Sequence, residues 1–153
     1  MKIISVPNEI LIPQIKSMID EGKKVTFLVK GNSMRLFLAD GRDKVLLVPC
    51  EKEKVKRGDV VLARVDRGIY VLHRIIRREN DFITLKGDGN IRGKEYCLTS
   101  DIVGIAAGFY RKGRNKLDLV AGWKWKAYSA IWLSLSPLRR YILGFYRRII
   151  EKY

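Results

Sequence analysis

Cysteine is nearly missing. Cys50 and Cys97 are the only two among 153 residues, too few for the disulfide framework of a small secreted domain, and no CxxC or HxxxH spacing accompanies them, so a structural zinc site is not expected. Histidine is rarer still, with His73 alone. Long apolar runs are absent as well. The longest uncharged stretch of the C-terminal part, 127–138, has 12 residues, against the roughly 20 that a spanning helix needs. The short apolar run at the N-terminus is broken by Asn8 and Glu9 before it could serve as a signal peptide. These absences predict a chain of a reducing compartment, cytoplasmic or peripheral on the inner membrane surface, with neither span nor export signal.

Acidic residues are also scarce: 16 Asp and Glu stand against 31 Lys and Arg, a formal net charge of +15. Apolar residues make up 47% and charged residues 31%, which is globular composition and excludes disordered and fibrous classes. The excess charge is concentrated: residues 111–153 hold 11 basic and 2 acidic side chains, whereas residues 1–110 hold 20 and 14.

An opening helix is predicted from Asn8, a good N-cap, to Gly22, with Leu11, Ile15, Met18 and Ile19 at helical spacing; Pro13, inside it, allows a later start. Short apolar and β-branched runs follow at 25–29, 44–48, 60–65, 69–76, 82–85 and 102–110, separated by glycine turns. Asp66-Arg67-Gly68 joins two of them too closely for any crossover, which predicts a hairpin. From Lys116 the strand pattern stops, and two amphipathic helices broken near Ser136-Pro137 are expected. The division is therefore a helical segment at 1–24, a mainly β domain at 25–114 and a basic, aromatic helical extension at 115–153.

Three segments set a reactive residue type beside small residues: Gly31-Asn32-Ser33-Met34, Val71-Leu72-His73-Arg74-Ile75 and Lys86-Gly87-Asp88-Gly89-Asn90. A serine hydroxyl becomes a useful nucleophile when a neighbouring base takes its proton, and an imidazole titrating near neutrality suits that task. A carboxylate on the other ring nitrogen would orient the base, and Asp88 is the first candidate. Singly, each segment has a plainer reading: a turn, a half-buried strand residue, and a second turn.

Taken together and in order, Gly31-Asn32-Ser33-Met34, Gly58-Asp59-Val60-Val61, His73-Arg74-Ile75-Ile76, Lys86-Gly87-Asp88-Gly89-Asn90 and Ile102-Val103-Gly104 resemble the superfamily that unites signal peptidases with the self-cleaving LexA-type repressors. The resemblance covers roughly residues 25–110. Histidine at 73, where bacterial members have lysine, is similar to the archaeal and endoplasmic-reticulum type of signal peptidase. It implies a β-rich core and a serine endopeptidase in which Ser33 attacks the scissile carbonyl, His73 is the general base and Asp88 orients it. The oxyanion and substrate contacts would come from Asn32, the backbone N–H of Ser33, and Met34, without metal or cofactor. Small residues beside the cut are the implied substrate preference. Autoproteolysis of the LexA kind is not expected, because no Ala-Gly or Cys-Gly pair precedes Ser33.

Two readings from other classes stand beside this one. The same β core could hold an extended peptide by strand addition without chemistry, or act as scaffold for a basic adaptor at a membrane surface or nucleic acid. In 115–153, Trp123, Trp125, Trp132, Tyr128, Tyr141 and Tyr146 alternate with Lys and Arg, a composition suited to anionic headgroups, or else to helices that pack back on the β core with the arginines as a solvated face. A nucleic-acid partner is not expected, since no recognised motif accompanies the charge.

Overall fold

The computed structural model describes residues 8–31, 33–34, 38–90, 93–111 and 115–150. Helix α1 (Asn8–Asp20) runs through Pro13 without a break. It buries Ile15 and Ile19, one helical turn apart, against Leu47, Leu62 and Val103 of the sheet. Eight strands follow: β1 (Val25–Leu28), β2 (Lys44–Val48), β3 (Val60–Arg64), β4 (Tyr70–Glu79), β5 (Phe82–Lys86), β6 (Glu95–Leu98), β7 (Ile102–Tyr110) and β8 (Leu117–Leu119). Two helices close the described chain, α2 (Trp123–Ser134) and α3 (Arg139–Ile150), on either side of a 3-10 turn at Ser136–Leu138. Pro137 lies in the first turn of that segment and lacks the N–H that would continue α2.

All pairings are antiparallel, in the order β1-β2-β7-β3-β4-β5-β6, with β8 also on β7. Strand β7 is the hinge of the arrangement, because it pairs with β2 through its second half and with β3 through its first. Gly104 permits this: a Cβ there would lie 2.8 Å from the Val48 carbonyl oxygen.

Alternation along the strands sorts the core into two sides. Val61, Ala63, Ile75, Ile83, Leu85 and Cys97 share the inner side of the curled sheet. Val60, with Met34, Phe109 and Trp125, packs on the other side, where α2 sits, and Leu62 meets α1 there.

The β-rich core with an N-terminal helix and C-terminal helices matches the architecture expected from the sequence. Two strands were not anticipated. In β6 only Cys97 is buried, so the alternation has a single apolar partner to reveal it. Strand β8 has three residues and corrects the expectation that strands end before Lys116, for its pairing spans Gly108↔Leu119 to Tyr110↔Leu117.

Candidate active site

The hairpin β4–β5 builds the site. Arg74 is opposite Lys86 in its register, so the 87–90 loop leaves the sheet beside His73. That loop holds the serine segment by its backbone. Gly89 N–H donates to the Ser33 carbonyl oxygen at 2.7 Å, and Asp88 N–H points to Met34 Sδ at 3.4 Å. Gly87 must be glycine, because a Cβ there would lie 2.2 Å from the Ser33 carbonyl oxygen and 2.9 Å from Asn90 Nδ2. Ser33 is half-buried, and Met34 anchors it by burying its own side chain beside Val60, Phe109 and Trp125.

Strand parity decides which side chains meet. His73 and Ile75 on β4, and Leu85 on β5, share the inner side; Glu95, at the start of β6, pairs with Leu85 and shares it too. His73 is 4% exposed, and its Nδ1 lies 2.8 Å from Glu95 Oε2. A carboxylate only accepts, so Nδ1 carries a hydrogen, and in the neutral imidazole Nε2 then holds the lone pair.

Arg74, one residue on, faces the opposite side. There it meets Asp88, two residues beyond its own cross-strand partner Lys86. Both groups are fully buried and joined bidentately, Nε to Oδ1 at 2.8 Å and Nη2 to Oδ2 at 2.7 Å. Arg74 Nη1 donates to the Gly58 carbonyl at 3.0 Å and to Ser129 Oγ of α2 at 2.7 Å. The guanidinium also lies over the Trp125 ring, 4.9 Å from its centroid. Tyr128 O–H donates to Asp88 Oδ2 at 3.3 Å.

The sequence-based assignment of Asp88 to His73 is therefore corrected: both of its oxygens are engaged by Arg74 on the other side of the sheet, and Glu95 occupies the imidazole. The signal that could have found this is the register. With Arg74 opposite Lys86, Asp88 takes the parity of Arg74, while a strand at 95–98 gives Glu95 the parity of His73. Asn32, named for the oxyanion, lies outside the described residues.

The surroundings are strongly cationic. Burial, then Arg139 and Lys94, push the Lys86 ammonium below its ordinary range. Burial, and next the Asp88 charge, push the Tyr128 phenol well above its own. Arg139 is buried against the Trp132 ring at 5.0 Å, and burial lowers its pKa. Among the described residues no group of three His, Cys, Asp or Glu is gathered to hold a metal ion. What the arrangement can supply is a serine on an immobilised backbone, and an imidazole with a fixed tautomer on the adjoining strand.

No curated protein matches the chain. A family model described as Peptidase S24-like matches residues 4–105, which include the serine segment, the β4–β5 hairpin and its loop, and Glu95. The chain belongs to the Peptidase S24-like family, the LexA and signal-peptidase-like group of serine peptidases.

Proposed function

We propose that this protein is a serine endopeptidase in which Ser33 is the nucleophile, His73 the general base and Glu95 the positioning carboxylate. The observation that carries the reading is the contact of buried His73 with half-buried Glu95 at 2.8 Å, on the strand next to the one whose loop fixes Ser33. A merely structural histidine needs no carboxylate partner on its ring nitrogen.

In the proposed reaction Ser33 Oγ bonds to the scissile carbonyl carbon while its proton passes to His73 Nε2. The carbonyl electron pair collects on oxygen, and the backbone N–H of Ser33 is the donor suited to receive it. His73 then returns the proton to the leaving amine as the C–N bond breaks, leaving an acyl ester on Ser33. Water, deprotonated by the same imidazole, releases the acyl group. Glu95 stabilises the imidazolium during both transfers. By similarity to signal peptidases, the substrate is a peptide or leader sequence with Ala, Gly or Ser beside the cut.

The test is labelling with a serine-directed acylating or phosphonylating probe, read by intact mass near neutral and alkaline pH. The expected result is one adduct on the wild type, none on Ser33→Ala and a greatly reduced rate on His73→Ala. A wild type that stays unlabelled by probes of several sizes while folded by circular dichroism would overturn the reading in favour of a non-catalytic peptide-binding module.

A further inference from the structure

Both C-terminal helices carry apolar side chains that no described residue covers. Along α3, Leu138 just before it and then Tyr141, Phe145 and Ile149 recur at spacings of three and four residues, which lines them on one side. They are 52%, 60%, 69% and 46% exposed. Another side of the same helix is occupied, because Arg139 and Leu143 are buried. In α2 the buried residues are Trp125, Ser129 and Trp132. Trp123 and Ile131 are bare, at 75% and 60% exposed, with exposed Ala127 and Ala130 between them. At 100° per residue, Lys124 and Lys126 fall on the two flanks of that bare stripe, and both are exposed.

The charge on this segment has one sign. From 119 to 150 there are six Lys and Arg and no Asp or Glu. Beside Trp123, a groove of about 460 Å³ between β8 and the start of α2 is lined by Lys116, Lys124 and the Arg111–Asp118 pair, together with Leu119 and Trp125. No helix among the described residues is long and apolar enough to cross a membrane.

We infer that α2 and α3 lie in the interfacial region of a bilayer rich in anionic lipid, with Trp123, Ile131, Leu138, Tyr141, Phe145 and Ile149 inserted at the level of the headgroups and first acyl carbons. Arg148, on the flank of the α3 stripe, and the two lysines of α2 meet the phosphates, while Arg140 and Arg147 stay on the aqueous side of α3. The pairing of uncovered aliphatic side chains with cations selects this occupant. A second copy of the chain would bring like charges together, and a nucleic acid would satisfy the cations but leave Ile131, Leu138 and Ile149 in water. An in-plane helix with a bare apolar stripe and one-sign flanks is the arrangement that interfacial binding rewards. This inference does not depend on Ser33 or His73.

The experiment is vesicle flotation of the full chain, with phosphatidylcholine vesicles set against vesicles of phosphatidylcholine mixed with phosphatidylglycerol. The wild type is expected to float with the mixed vesicles, to bind pure phosphatidylcholine far more weakly and to be released as salt rises. Lys124→Gln with Arg148→Gln should weaken binding to the mixed vesicles by roughly 30-fold, about fivefold per charge. Phe145→Glu with Ile149→Glu should abolish flotation while circular dichroism stays unchanged, since both positions are exposed. Failure of the wild type to float with either vesicle overturns the inference. So does binding that the glutamate pair leaves intact, whether to vesicles or to duplex DNA in a parallel filter assay, and so does a concentration-dependent dimer that the same pair dissolves.

Discussion

Exchanging the carboxylates tests the site most directly, because Asp88 and Glu95 are one loop apart yet are given opposite duties. Asp88→Ala leaves Arg74 Nε and Nη2 without acceptors at a position with no solvent contact. Removing one partner of a buried ion pair costs about 3–5 kcal/mol, since a charge remains uncompensated. Arg74 keeps Gly58, Ser129 and the Trp125 ring, which puts the expected loss near the lower end, about 3 kcal/mol. For a chain of this size that is a fall in Tm of roughly 6–12 °C. Glu95→Gln behaves differently. Its side chain is 27% exposed and one hydrogen bond is at stake, so the stability change should stay near about 1 kcal/mol. The rate at which Ser33 is acylated should nevertheless fall by about 10²-fold or more, since an amide beside Nδ1 supports the wrong tautomer and does not stabilise the imidazolium. The assay is urea unfolding followed by tryptophan fluorescence, run beside the rate of probe labelling on the same preparations. Arg74→Met combined with Asp88→Leu supplies a control, because replacing both partners by apolar groups should cost less than Asp88→Ala alone. The reasoning fails if Glu95→Gln labels at the wild-type rate while Asp88→Asn folds normally and does not label.

Two further outcomes are expected. Gly87→Ala drives a Cβ to 2.2 Å from the Ser33 carbonyl oxygen, so the loop must move; a stability loss of about 1–3 kcal/mol and at least a tenfold drop in Ser33 labelling should follow, and an unchanged labelling rate would show that the loop does not fix the serine. Burial pushes the Cys97 thiol up to about 11, so the folded state keeps a proton that the unfolded thiol releases near pH 9. Stability contributed by this group is therefore complete below the unfolded value and declines as pH rises from about 9 to about 11. Cys97→Ala should flatten that part of the urea-midpoint profile, and equal slopes for the two proteins would refute the assignment.

Much of this molecule was legible in the residue order. Six strands announce themselves by apolar alternation bounded by glycine turns, and the helix break is written in Ser136-Pro137. Ser33 and His73 stood out because each is a reactive side chain next to small or alternating neighbours. What escaped was whatever depends on strands far apart in the chain. Strand β6 buries one side chain in four residues, and without β6 there is no way to see that Glu95 reaches His73. Asp88 looked like the orienting carboxylate because it is nearest in the favoured loop. Parity across β4 and β5 sends it to the other side, and that parity follows from the register Arg74↔Lys86, which composition does not disclose. The partners of Arg74 were equally hidden, since Ser129 lies 55 residues away in a segment read as a separate extension.

That last contact bears on the order in which the protein is completed during synthesis. The ribosome delivers the strands through β8 before α2, so a nascent chain that has reached only residue 119 carries Arg74 and Asp88 but lacks Ser129, Trp125 and Tyr128, which enclose them. Domains fold as their residues emerge, and until α2 arrives this ion pair is open to water on one side, with the 87–89 loop and the serine it holds only loosely supported. The proposed site is thus completed only once α2 has been made, and a product truncated before it would hold the serine segment without that support.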